Sequence, residues 1–257
     1  MLRKGYLLIF FNKLIHAHIL KEYYDDIDSL ISELQKDKVS CVLNAATNYN
    51  EALEIIELSK KYPEFIKSAI GIHPESINDN SLDKIEELIK NNKIYAIGEI
   101  GLDYYWKKDN KEEQRKLFIN QIELANKYNL PIVVHIRKSI QDCLDILKTH
   151  KCRGVIHCFS GSVEMAREFI KLGYKLGIGG VLTFKNSKLY QVIEKIDLKD
   201  IVLETDSPYL TPEPFRGKQN KPSYIYYVAK KIAEIKNCSI EEVLDITTKN
   251  AMSIFDF

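Results

Sequence analysis

Apolar positions along the chain keep two rhythms that take turns. Short runs rich in aliphatic and β-branched residues occupy residues 14–18, 39–44, 66–72, 95–98, 132–135, 154–157, 174–178 and 201–204, as buried strands do. Between them, apolar residues recur three and four apart over 27–34, 52–59, 82–89, 114–128, 140–147 and 163–172. That spacing lays one apolar stripe along a helix. Two more helical stretches, 223–235 and 240–255, close the chain, and Asp197-Leu198-Lys199 reads as a short connection before the last strand. Eight strands alternating with helices, without a linker, predict an α/β fold: a (β/α)8 TIM barrel forming a single domain over 1–257. Such barrels take about 250 residues. An open doubly wound sheet is the competing arrangement. It normally carries a Gly-rich first turn, and no Gly-x-Gly-x-x-Gly is present.

Composition narrows the class. Hydrophobic residues are 45% and charged residues 28% of 257, with 7 Pro and 11 Gly, which supports a packed core and excludes a disordered or collagen-like chain. Lys+Arg 37 against Asp+Glu 36 gives a formal charge of +1, so no global basic field attracts nucleic acid. An anionic partner needs a local site. The 5 Cys are scattered without a Cys-x-x-Cys pair, which points to reduced thiols and a cytoplasmic protein. Arg3 and Lys4 precede an apolar run from Tyr6 to Phe11. That run is short, Asn12 and Lys13 interrupt it, and no small-residue cleavage site follows. Residues 1–13 are therefore expected to be an atypical extension, an extra strand or a mis-set start, and not an export signal. No stretch reaches the roughly 20 apolar residues of a membrane span.

The rare polar residues gather at the strand ends. His16-Ala17-His18 closes the first predicted strand, His73 the third, His135 the fifth and His157 the sixth; Glu99 follows the fourth and Asp206 the eighth. Residues two apart in a strand share a face, so His16 and His18 can grip one ion. Parallel barrel strands bring their C-terminal ends to one rim, where active sites are built. A single histidine at a strand end is usually a hydrogen-bonded core residue. Five of the 6 His at such ends, in otherwise apolar runs, is a different matter. Four imidazoles and two carboxylates on one rim exceed what a structural ion needs and suit a two-metal hydrolytic centre.

Other groups suit an anion. Arg137 shares the face of His135, and a basic, proline-stiffened loop runs from Arg216 through Asn220 to Pro222. Asp103 with Tyr104, Tyr105 and Trp106 forms an aromatic cluster suited either to stacking on a base or to packing.

These motifs together resemble the TatD-type deoxyribonuclease family of the metal-dependent amidohydrolase superfamily. The likeness lies in His16-Ala17-His18, Gly71-Ile72-His73-Pro74, Gly98-Glu99-Ile100-Gly101-Leu102-Asp103-Tyr104-Tyr105, His157-Cys158-Phe159-Ser160-Gly161 and Glu204-Thr205-Asp206-Ser207-Pro208-Tyr209-Leu210. The resemblance implies two divalent ions, magnesium, manganese or zinc. One would take His16, His18, Glu99 and Asp206; the other Glu99, His135 and His157. It implies hydrolysis of DNA phosphodiester bonds by an activated water, exonucleolytic and on single strands or 3′ ends. Asp206 and Glu99 would be catalytic, and His73, Asp103, Arg137, Arg216 and Asn220 would bind substrate.

The chain departs from the family pattern in places. Leu14 and Leu20 stand where the family carries polar residues beside the first two histidines, and Ile136-Arg137-Lys138 replaces Ser/Thr-Arg-Asp/Glu. Counting back by two from His16 predicts Leu14 on the ligand face, one layer deeper, with a weakened first ion site as the consequence. Two other readings stay open on residues alone. One is amidohydrolase-type cleavage of an amide, lactone or aminoacyl ester; the other is a catalytically weakened binding protein.

Overall fold

The computed structural model describes residues 12–79, 81–106 and 108–256. Eight strands stand in chain order in one sheet, each parallel to the next. They are β1 (Asn12–Ala17), β2 (Val39–Ala45), β3 (Ile66–Ile70), β4 (Ala96–Asp103), β5 (Ile132–Arg137), β6 (Gly154–Ile156), β7 (Lys175–Ile178) and β8 (Ile201–Leu203). The ring closes just beyond β8, at its C-terminal rim. Ala17 bridges Ser207, the His18 N–H donates to Ser207 O at 2.8 Å, and the Thr205 and Asp206 N–H groups both point at His16 O from 3.3 Å. Closure and candidate ligands therefore occupy the same few residues.

Helices α1 (Ile27–Lys36), α2 (Tyr49–Lys61), α3 (Leu82–Asn91), α4 (Lys111–Lys127), α5 (Ile140–Thr149), α6 (Val163–Lys171), α7 (Leu189–Lys195), α8 (Ile225–Lys236) and α9 (Ile240–Ile254) follow the strands. Their starts have local causes. Asp26, Asn48, Ser162 and Ser239 each accept a first-turn N–H through the side chain. In α1 the predicted stripe is the buried one: Ile27, Leu30, Ile31 and Leu34. Periodicity reading leaves α7 out. It spans 7 residues, no side chain caps it, and its buried face is only Leu189, Val192 and Ile193.

Two apolar layers hold the barrel. The outer one, between strands and helices, includes Leu14, Val42, Ile97, Ile100, Ile132, Val134 and Ile156. The inner one contains Ile15, Leu43, Ala69, Val133, Val155 and Val202, with Ala251, Ile254 and Phe255 from the end of the chain packed against it. This sorting corrects the expectation for Leu14. Leu14 pairs with Val42 and Ala17 with Asn44, so β1 spends one residue more than β2 over that stretch. Such a bulge breaks the two-residue alternation. Leu14 therefore faces the helices, and Ile15 faces inward below His16. A second register shift in β4, between Ile97 and Ile100, brackets Glu99.

The apolar run from Tyr6 to Phe11 lies outside the described residues. Strand β1 begins at Asn12 and so includes Asn12 and Lys13. No described helix is long and apolar enough to cross a membrane.

Candidate metal centre

Glu99 stands at the middle of the rim and divides its two oxygens between two groups of histidines. Its Oε2 lies 3.5 Å from His16 Nε2 and 3.7 Å from His18 Nε2. Its Oε1 lies 2.7 Å from His135 Nδ1, 3.0 Å from His157 Nε2 and 3.7 Å from His73 Nε2. Asp206 adds a second carboxylate to the first group, with Oδ1 at 3.3 Å from His16 Nε2 and 3.5 Å from His18 Nε2. Three overlapping sets of donor atoms, each within 4.8 Å, result: His16–His18–Glu99, His16–His157–Asp206 and His73–Glu99–His135. His73, expected to contact substrate, thus stands among the donors.

The far nitrogens of three rings are backed by acceptors. His18 Nδ1–H donates to Ala45 O at 2.9 Å, and His135 Nε2–H donates to Asp103 Oδ2 at 3.1 Å. Glu204 Oε2 faces His157 Nδ1 at 3.5 Å. The Ala45 carbonyl fixes the proton of His18 on Nδ1 and turns its Nε2 lone pair toward Glu99 and Asp206, while His135 meets a carboxylate at each nitrogen, Asp103 on one side and Glu99 on the other. Lone pairs and carboxylates converging on one buried place repel unless a cation lies between them. Imidazole with carboxylate is also a donor set for divalent ions. The residues therefore fit a metal.

The titration shifts carry the same imprint. Burial pushes the Glu99 carboxyl up, but His157 and His135 outweigh it and hold Glu99 well below the usual carboxylate range. Burial also acts on Asp206, where His16 and His18 prevail and lower it. Burial pulls His157 down, yet Glu99 and Glu204 raise it well above its ordinary value. His135 is raised by Asp103 and Glu99, and His18 by Asp206 and Glu99, again against burial. His16 and His73 go the other way through burial and a neighbouring imidazole, His73 to about 3. The negative potential draws protons to three rings, where an ion would supply the same charge.

Three side-chain amides pin the rim. Asn44, Gln121 and Gln114 each accept the N–H and donate to the C=O of one residue, Ile19, Ile72 and Asp103 respectively, at 2.7–3.0 Å. Each amide imitates a strand neighbour where the sheet runs out.

Some expected substrate contacts are placed otherwise. Asp103 is fully buried: Oδ1 accepts the Tyr105 and Trp106 N–H groups and Oδ2 backs His135, so it positions a ring. Asn220 is also fully buried, and its amide donates to Thr205 O and Tyr209 O at 2.7 and 2.6 Å. It ties down the loop that carries Asp206. Arg216 stacks 3.9 Å above the Phe184 ring and donates to Thr211 O at 3.1 Å. It is absent from the described residues that line the cleft. Arg137 does line it, with its guanidinium 4.3 Å from the Tyr105 ring and 5.3 Å from Trp106. Tyr104 is buried instead, donating to Asp142.

The cleft above the donors measures about 640 Å³ and is also lined by Tyr23, Thr47, Glu75, Cys158, Ser160 and Tyr209, none assigned from sequence. Glu204 opens the segment that runs to Leu210, and residue type alone assigns it no role. Its signal was parity, two residues beyond Val202 on the inward face.

Comparison with known proteins agrees with this architecture. The family model for TatD related DNase matches residues 15–256. YabD of Bacillus subtilis, an uncharacterized metal-dependent hydrolase, is 42% identical over 248 residues, covering 93% of this chain and 97% of that protein. MJ1582 of Methanocaldococcus jannaschii, another, is 36% identical over 245 residues, covering 93% and 95%. The crystal structure of the TatD homologue YJJV from Escherichia coli superposes with a TM-score of 0.91 at 28% identity, over 97% of this chain and 100% of that one. The chain belongs to the TatD family of metal-dependent hydrolases.

Proposed function

We propose that this hydrolase cleaves DNA phosphodiester bonds, working from the 3′ ends of single strands in the cytoplasm with two divalent ions, magnesium, manganese or zinc. The observation that carries the reading is the cleft itself. Its floor is the donor cluster, and its wall bears Arg137 braced by two exposed aromatic rings. A cation beside aromatic faces suits a phosphate with an attached base.

His16, His18, Glu99 and Asp206 would hold one ion. Glu99, His135 and His157 would hold the other, with His73 near enough to join. When bound, the ions supply Lewis acidity that polarises the phosphoryl group and makes attacking water more acidic. Glu99, serving both groups through separate oxygens, keeps them together. Asp206 is ionised at neutral pH and partly exposed to the cleft, so it accepts a hydrogen bond from the attacking water or takes its proton. Arg137 offsets the charge that develops on the phosphate. Tyr105 and Trp106, 45% and 59% exposed, offer stacking faces for the bases, which Tyr104 cannot.

The test is cleavage of an end-labelled single-stranded DNA. Activity should vanish in excess chelator and return with magnesium or manganese. Arg137→Ala should raise KM for DNA far more than for a small neutral ester. Undiminished cleavage in chelator would defeat the metal mechanism. Equal losses on both substrates would favour amide, lactone or aminoacyl-ester hydrolysis.

A further inference from the structure

A second cavity of about 290 Å³ opens beside the main cleft, between the segments that follow β5 and β6. The two share Ile136, Arg137, His157, Cys158 and Ser160, so they adjoin. Ile140, Ile156 and Phe159 give the smaller one an apolar floor, and its charged lining is Arg137 and Lys138. Glu75, Glu99 and Asp206 line the main cleft, whereas no carboxylate is among the described residues lining its neighbour. Arg137 lines both compartments, and Lys138 adds a second cation to the smaller one alone.

Lys138 is exposed and sits at a φ of 56°, a left-handed backbone that lysine seldom adopts. That turn ends β5, and Lys138 lines the cavity. Cations beside an apolar floor match a nucleotide, with its phosphate on the cations and its sugar and base on the aliphatic and aromatic side chains. The volume is near the roughly 300 Å³ at which small-ligand pockets begin.

We propose that this cavity is a second subsite, resting on the phosphodiesterase reading above. It takes the nucleotide adjoining the scissile phosphate: Arg137, which lines both cavities, stays on the scissile phosphate, and Lys138 holds that nucleotide's own phosphate. Substrates with two phosphates one nucleotide apart then bind better than substrates with the scissile phosphate alone.

Thymidine dinucleotides test this. For the parent, KM for pTpT or TpTp should be at least about tenfold lower than for TpT. In Lys138→Glu that advantage should shrink to within about twofold, while kcat on bis(4-nitrophenyl) phosphate, which has no second phosphate, stays within about twofold. Lys138→Met should fall between. A binding arm needs no turnover. In calorimetry on the metal-loaded protein, thymidine 3′,5′-bisphosphate should bind at least about tenfold tighter than thymidine 5′-monophosphate, and equally in Lys138→Glu. Dinucleotides cleaved at equal KM, or a bisphosphate advantage that survives Lys138→Glu, would overturn the subsite and leave the phosphodiesterase reading standing. A Lys138-dependent bisphosphate advantage without cleavage of any dinucleotide would support the subsite and overturn the phosphodiesterase reading.

Discussion

Glu204 stands behind His157, with Oε2 3.5 Å from His157 Nδ1 and Oε1 accepting the Cys158 N–H at 2.7 Å. It is fully buried, and glycine at 177 makes its place possible, since a Cβ there would overlap Glu204 Oε2. A buried carboxylate on the far nitrogen makes an imidazole a stronger donor to a cation. Glu204→Gln keeps the shape and the Cys158 contact but removes the charge. Metal affinity should fall about 10–100-fold, as outer partners of ligating histidines typically cost, with the circular dichroism spectrum unchanged. Unchanged affinity in a metal titration would show that Glu204 serves only the Cys158 loop.

Asp206 has a φ of 53°, a conformation that asparagine tolerates better than most residues. Asp206→Asn should therefore fold normally. An amide neither takes a proton nor balances cationic charge, so turnover should drop by about 10²-fold or more. Steady-state rates within a few-fold of the parent would remove Asp206 from the reaction.

The metal-free protein should be most stable near pH 6.5, the ordinary histidine value. His18, His135 and His157 are raised above it. Their contribution is complete below 6.5 and is lost as pH rises through the folded values. His16 and His73 are lowered, so stability falls again as pH drops below 6.5 and the unfolded chain takes up more protons. Glu99 and Asp206 add to the loss at still lower pH. Thermal melts in chelator from pH 5 to 9 should trace this maximum. Added manganese should remove the alkaline decline, because the ion replaces the protons. A flat profile without metal would count against the charge pattern described here.

Leu14 belongs to the layer between barrel and helices. Leu14→Ala should cost about 2–5 kcal/mol in urea unfolding through the cavity it leaves, and metal affinity of the folded protein should not change. Leu14→Asp should destabilise further by burying an unpaired carboxylate. It should not tighten metal binding, since its side chain would face the helices. Tighter binding in Leu14→Asp would restore the direct alignment with His16.

Much of this molecule was legible along the chain, because strand and helix rhythms are local and each buried stripe reports its own period. The alternation predicted the barrel, and histidines closing apolar runs predicted the rim, since parallel strands carry their ends to one side whatever their exact register. Register itself was not local. The bulge in β1 exists only as a mismatch with β2, so counting by two from His16 placed Leu14 on the wrong face. The same limit applied to Asp103, Asn220 and Arg216, which sit in polar stretches that look available to substrate. Asp103 and Asn220 are buried under partners 11 to 32 residues away, and Arg216 rests on Phe184, 32 residues away. Glu204 became a partner of His157, 47 residues earlier, because both extend from the strands on either side of β7 and Gly177 on β7 left the space between them. Residue type told which chemistry this chain can support. Pairing between distant segments decided which side chains join the donor cluster, which stand behind it, and which merely hold the loops.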